Sequence, residues 1–194
     1  NISNLPNFNE KYIIYYLHFE PEAAISPIAG KYSNQLLNIR ILASSLPSGW
    51  KLYVKEHPTQ FKIDLYKKLG YQRQGKDFPK YRGKKFYDYI NALDNVKLIS
   101  LNTNPKELVQ NAQIIASISG SVIVEASNFN KPCIMFCAKS LYSLFNNAWV
   151  VKDTYECKLA INEIIKSSEI KSNFQNILNQ YTFQCSPEKH AIEI

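Results

Sequence analysis

With 194 residues, 45% hydrophobic and 20% charged, the chain is long enough for one well-packed core, and its composition excludes disorder as a starting expectation. No apolar run approaches the roughly 20 residues of a membrane-spanning helix, so no segment is expected to cross a bilayer. The net charge of +7 is unevenly spread, since the stretch from Lys67 to Lys85 carries eight basic residues against the single acid Asp77, with Tyr71, Phe78 and Tyr81 interleaved. Such a loop suits an anionic membrane surface, a phosphorylated ligand or nucleic acid, or it is simply solvated.

The chain opens on Asn1 in the polar, turn-rich "NISNLPNFNE", from which we expect it to be a piece of a longer protein. "YIIYYLHF" (residues 12 to 19) is rich in aromatic and β-branched residues and reads as a strand, with His18 as a satisfied core histidine. The strand is stopped by the prolines and glycine of "EPEAAISPIAG". "SNQLLNIRILASSLP" places Leu36, Leu37, Ile39, Leu42, Ala43 and Leu46 near a 3.6-residue period. It predicts a helix capped by Ser33 or Asn34 and ended by Pro47.

The pattern repeats along the chain. "WKLYVK" is a second strand, "TQFKIDLYKKLG" a helix from Thr59 to Gly70, and "KFYDYINAL" a short helix beyond the basic loop. "NVKLIS" follows as a third strand, "NPKELVQNA" as a helix opened by Asn104 and Pro105, "QIIASIS" as a fourth strand, "SVIVEASNF" as a helix and "KPCIMFC" as a fifth strand. After Val151, "TYECKLAINEIIKSS" and "IKSNFQNILNQY" read as closing helices.

Strands alternating with helices over connections of this length predict an α/β fold, a doubly wound parallel sheet with C-terminal helices. Residues 1–151 are expected to form the ligand-binding domain and 152–194 a helical extension packed on it. Ligands of such sheets bind beyond the carboxyl ends of the strands, where the strand order reverses. The four cysteines, Cys133, Cys137, Cys157 and Cys185, show no CxxC spacing and are expected to be reduced thiols.

Three post-strand segments carry the chemistry. In "SISGSVIVEA", Ser119, Gly120 and Ser121 lead straight into a helix, which offers backbone N–H groups and two hydroxyls to an anion, best a phosphate; Gly120 allows close approach. Glu125 stands one turn on, on the same helix face, within reach of a sugar hydroxyl. The same three residues also form an ordinary capping turn. In "KEHP", His57 held by Pro58 is placed to donate to a phosphate oxygen, or it is a plain surface histidine. Lys55 and Glu56 beside it read as pairing with neighbours, a small contribution if exposed. In "HFEPEAA", Glu20 and Glu22 flank Pro21 and offer two carboxylates for acid/base work or hydroxyl contact, or are successive exposed acids.

Taken together, "HFEPEAA", "LPSGWKLYVKEHP", "YRGKKFYDYINALDNVKLIS" and "ISGSVIVEASNFNKPCIMF" resemble, in order and spacing, the C-terminal nucleotide-binding half of a GT-B glycosyltransferase. The narrower resemblance is to the bacterial capsule polysaccharide biosynthesis family that includes Kdo transferases, over roughly residues 12 to 145. It implies a Rossmann-like domain that binds a CMP-activated donor such as CMP-Kdo and passes the sugar to a glycan or glycolipid acceptor on a growing capsular or surface polysaccharide. His57 and Pro58 then match a His-Pro motif, and Ser119 and Ser121 a phosphate-binding serine pair. Glu125 matches the acid that holds ribose; Glu20, Glu22 and His57 become catalytic candidates, and Lys55, Arg73 and Arg82 anion or acceptor contacts.

The resemblance further implies that no metal and no cofactor is needed, and that a missing N-terminal GT-B domain supplies the general base. The location it implies is the cytoplasm, with peripheral contact at the anionic inner face of the cytoplasmic membrane and no nucleic-acid partner. UDP-sugar 2-epimerases and CDP-glycerol (teichoic-acid) polymerases use a similar half-fold and stand as the alternative. A non-catalytic basic module binding membrane or polyanionic glycan is the third reading.

Overall fold

A computed structural model describes residues 3–20, 22, 25–61 and 82–181. Six strands form one sheet: β1 (Tyr12–Tyr16), β2 (Lys51–Lys55), β3 (Val96–Ile99), β4 (Ile114–Ser117), β5 (Cys133–Met135) and β6 (Ala148–Val150). Every pairing is parallel, in the order β3-β2-β1-β4-β5-β6. The helices are α1 (Gln35–Ala43), α2 (Lys84–Asn91), α3 (Pro105–Asn111), α4 (Val122–Asn128), α5 (Thr154–Lys166) and α6 (Phe174–Tyr181). This is the doubly wound sheet that the alternation predicts.

The strands are buried on both faces because their side chains alternate between two cores. Ile13 and Tyr15 of β1, Leu52 and Val54 of β2 and Leu98 of β3 point to one face. There they meet Ile39 and Leu42 of α1, Ile90 of α2 and Cys157, Ala160 and Ile161 of α5. Tyr12, Ile14 and Tyr53 point to the other, against Leu108 and Val109 of α3 and Ile123 and Ala126 of α4. Each such aliphatic side chain contributes about 1.5–3 kcal/mol on full burial. The buried tyrosines keep their hydroxyls paired: the Tyr12 OH donates to the Leu108 carbonyl at 2.8 Å and the Tyr53 OH to Glu10 at 2.6 Å, while the two rings stack at 4.3 Å.

Local signals place the helices. Asn104 caps α3 by accepting from the Lys106 N–H, with Pro105 in the first turn, and Asp153 caps α5 by accepting from the Glu156 N–H. Asn34 stands at the start of α1, as the pattern predicts, but with no side-chain capping bond. At the outer edge of β3, Asn4 bridges Ile99, its N–H donating to the Leu98 carbonyl at 2.7 Å, so the N-terminal segment covers part of that edge.

Two differences from the expected elements matter. Strand β1 ends at Tyr16, which leaves His18 in the connection beyond it. A sixth strand, β6, pairs with β5; its half-buried residues lie in the short apolar run Ala148, Trp149, Val150 and Val151, which the five-strand expectation leaves out. The predicted helix from Thr59 to Gly70 begins as a 3-10 turn at Pro58–Phe61, and its remainder lies outside the described residues. Most of the basic loop, Arg73 and Cys185 also lie outside them; Cys133, Cys137 and Cys157 are buried free thiols. Among the described residues no helix is long and apolar enough to cross a membrane.

Candidate functional site

Between β1 and β4 the sheet order reverses, since β1 leads outward to β2 and β3 while β4 leads the other way to β5 and β6. The two connections leaving these strands diverge and open a cleft at the carboxyl edge, where α/β proteins hold ligands. A cavity of about 440 Å³ occupies it. Its lining brings together Glu22, Lys55, His57, Pro58, Ser119, Gly120, Ser121 and Glu125, eight residues singled out from the sequence and drawn from three separate post-strand segments. Tyr16, His18 and Ser117 line it as well.

The β2 side of the cavity is built on buried charge. Lys55 and Glu56 are 2% and 3% exposed, so neither belongs to a surface pair. The Lys55 Nζ donates to the Ser100 and Leu101 carbonyls at 2.7 and 2.8 Å and ties the β2 edge to the turn after β3; burial pulls its pKa down to about 8. Glu56 accepts from the His57 N–H at 2.6 Å and the Tyr87 OH at 2.7 Å, and the Arg82 Nε stands 3.4 Å from its second oxygen. Burial raises the pKa of Glu56, and the Arg82 charge opposes that rise.

His57 is half-buried, and its Nδ1 accepts from the Thr59 N–H at 3.2 Å. In the neutral ring the proton therefore sits on Nε2, the nitrogen left free to donate. Burial lowers the His57 pKa, with Glu22 acting in the opposite sense.

The β4 side is built on neutral hydrogen bonds. His18 is 8% exposed; its Nε2 lies 3.0 Å from the Ser117 Oγ and accepts from the Ser119 N–H at 3.3 Å. The Ser117 Oγ in turn accepts from the Gly120 N–H at 3.2 Å. The turn is flush against this pair, because a Cβ on Gly120 would sit 2.9 Å from the Ser117 Oγ and 3.4 Å from the imidazole. With the first two turn amides so engaged, the donors left to face the cavity are the Ser119 and Ser121 hydroxyls and the amides at the start of α4. That helix has only seven residues, so its contribution is these local groups rather than a long dipole.

Glu20 and Arg82 do not line the cavity. Arg82 is 3% exposed; its Nη2 donates to the His18 carbonyl at 2.8 Å, its Nη1 lies 3.6 Å from Glu20 and its guanidinium stacks 4.4 Å from the Phe86 ring. Glu20 accepts from the Gln35 Nε2 at 2.7 Å. The Arg82 charge is shared between Glu20 and Glu56, and Glu20 is held by Arg82 and Gln35, so the structure places both behind the site as scaffold rather than at a ligand. Glu22 differs: its side chain is 45% exposed, faces the cavity and lies 3.6 Å from the His18 Nδ1.

Sequence reasoning missed Ser117, Gln35 and Gln60; His18 is the satisfied, buried histidine expected, but its place on the cavity was not foreseen. Gln35 accepts from the His18 N–H and donates back to its carbonyl, and Gln60 does the same for Glu20, so two buried amides clamp the β1 connection. The one signal for them is a polar residue at an otherwise apolar helical position, visible at Gln35 and Asn38 of α1, which are 1% and 0% exposed.

No protein-family model matches the chain, and no curated protein matches it. Solved structures do match its fold. The UDP-GlcNAc 2-epimerase of Methanocaldococcus jannaschii, in complex with UDP-GlcNAc and UDP, aligns with a TM-score of 0.51 at 16% identity over 89% of this chain and 45% of that one. For the UDP-GlcNAc 2-epimerase of Neisseria meningitidis bound to UDP-GlcNAc the values are 0.50, 19%, 83% and 38%. The β-Kdo 2,4-transferase KpsC of Thermosulfurimonas dismutans aligns at 0.49 and 13%, over 88% of this chain and 51% of that one. The chain has the GT-B half-fold. It spans less than half the length of either epimerase chain.

Proposed function

We propose that the cavity at the carboxyl edge is the nucleotide-donor site of a glycosyltransferase, and that the donor is a CMP-activated sugar such as CMP-Kdo, destined for a capsular or surface polysaccharide. The observation that carries the reading is the convergence of a neutral His57, with its proton on Nε2, and the Ser119–Gly120–Ser121 turn on one cavity at the strand-order switch. Two walls of hydrogen-bond donors facing each other across such a space suit a phosphate group.

In this reading the donor phosphate lies between the His57 Nε2–H and the serine hydroxyls. As the glycosidic bond to phosphate breaks, negative charge grows on the departing phosphate oxygen, and donors already oriented by the fold stabilise it without reorganising. Glu125, one turn into α4 and on the cavity wall, accepts from ribose hydroxyls. Glu22, which unlike Glu20 lines the cavity, takes the catalytic carboxylate role in this reading. Metal independence, a glycan or glycolipid acceptor, a general base from a further domain and a peripheral position at the anionic inner face of the membrane belong to the same proposal.

The experiment is a calorimetric titration of the chain with CMP, UDP and CDP. The proposal expects CMP to bind most tightly. Preference for UDP moves the chain to the epimerase-like reading, preference for CDP to the glycerol-polymer one, and no binding of any nucleotide rejects the site.

A further inference from the structure

The contacts behind the phosphate turn assign a role to a residue that the donor-site reading leaves unused. We infer that His18 is a positioning residue: its imidazole Nε2, acting through Ser117, holds the Ser119 and Gly120 amides inward so that the turn presents its serine hydroxyls and later amides to a phosphate. The inference rests on the proposed donor site for its consequence, though not for its geometry.

The geometry closes as a hydrogen-bond count. The Ser119 N–H donates to the His18 Nε2 at 3.3 Å, which makes that nitrogen an acceptor, so the Ser117 Oγ, itself accepting from the Gly120 N–H at 3.2 Å, directs its own proton to the same nitrogen at 3.0 Å. An imidazole that accepts at Nε2 carries its proton on Nδ1, which faces the Glu22 carboxylate at 3.6 Å. All four groups are thereby assigned one consistent set of donors and acceptors.

The backbone of His18 is itself held from behind. Its main-chain N–H donates to the Gln35 side chain, and its main-chain carbonyl accepts from both Gln35 and Arg82. A chain of contacts thus runs from Gln35 of α1 and from Arg82, two residues before α2, through His18 to the turn. Gly120 completes it, because a side chain there meets the Ser117 Oγ at 2.9 Å. The charged and titratable groups acting on His18 are Glu22 on its own connection, His57 across the cavity and Arg82 behind it.

Removing the acceptor leaves the part-buried Ser119 amide without its partner and frees the Ser117 hydroxyl that holds the Gly120 amide, a loss that loosens the turn more than the fold. The test compares His18→Phe, which keeps bulk and removes the acceptor, with His18→Gln, whose side-chain carbonyl can still accept. Hydrogen exchange of the Ser119 and Gly120 amides and CMP titration are read on each. The expected result is faster exchange at both amides and about tenfold weaker CMP binding in His18→Phe, with His18→Gln recovering most of both.

Unchanged exchange in His18→Phe overturns the inference. So does equal loss of CMP affinity in both variants with the turn amides unmoved, since that makes His18 a direct ligand contact. If His18→Phe does not fold, Ser117→Ala decides: faster exchange at Gly120 supports the role and unchanged exchange there rejects it. If the parent chain binds no nucleotide, the donor-site reading fails, and the exchange measurement alone decides the positioning role.

Discussion

The wall of the cavity after β2 and the wall after β4 both end a buried parallel strand at the same edge of the sheet, yet they are held by opposite means. The β2 wall rests on a buried ion cluster in which Arg82 serves Glu56 and Glu20 at 3.4 and 3.6 Å. The β4 wall rests on hydrogen bonds among an uncharged imidazole, a hydroxyl and two amides. Buried charges are costly to strand, whereas neutral hydrogen bonds are cheap individually but fail when one member takes up a proton. The first wall is therefore vulnerable to loss of a partner and the second to acid.

The largest effect follows from breaking the ion cluster. Arg82→Met is expected to destabilise the fold by about 3–5 kcal/mol, because Glu56 is left buried, and Glu20 partly buried, without a cation. The measurement is urea unfolding, and the double variant Arg82→Met with Glu56→Gln should be less destabilised than the single one. A loss below about 1 kcal/mol would make the cluster a surface-like pair.

Acid should act on the other wall. Burial first, then His57 and Arg82, pull the His18 pKa down to about 4 from the ordinary histidine value of 6.5. The folded state therefore binds fewer protons than the unfolded state between these values. The stabilising contribution is complete above pH 6.5 and is lost as pH falls toward 4, by up to about 3 kcal/mol. Unfolding free energy measured against pH should show this slope in the parent chain and lack it in His18→Gln. Glu56, whose pKa is raised, contributes with the opposite sign in both, so the difference between the two curves isolates His18.

A smaller effect probes the contact between turn and imidazole. Gly120→Ala is expected to cost about 1–3 kcal/mol through overpacking against Ser117, and Ser117→Ala in the same chain should relieve part of it, read by thermal unfolding. Additive losses would show that the Cβ collides with something other than the hydroxyl.

Much of this arrangement was legible in the sequence, because alternating strands and helices dictate where a ligand cleft opens. His57, Pro58 and the Ser119–Ser121 turn were recognisable as residues immediately following strands, and the structure gathers them on one cavity. What the sequence concealed is pairing at long range. "YIIYYLHF" continues its apolar pattern past Tyr16, so His18 read as strand interior, although its partners Ser117 and Ser119 lie about a hundred positions away. Glu20 and Glu22 looked equivalent around Pro21, yet Gln35 and Arg82 draw Glu20 inward while Glu22 faces the cavity. Arg82 sits in a run of solvated-looking cations, and only the fold shows that its guanidinium is buried among acids.

The central claim is that the two walls together bind a phosphate, and the most direct measurement is calorimetry of the best-binding nucleotide beside its phosphate-free nucleoside, in the parent chain and in His57→Ala. The predicted result is a nucleotide that binds at least about tenfold more tightly than its nucleoside, a gap that His57→Ala largely removes while the thermal midpoint stays in place. Equal affinity for nucleotide and nucleoside, or a gap untouched by His57→Ala, would contradict it.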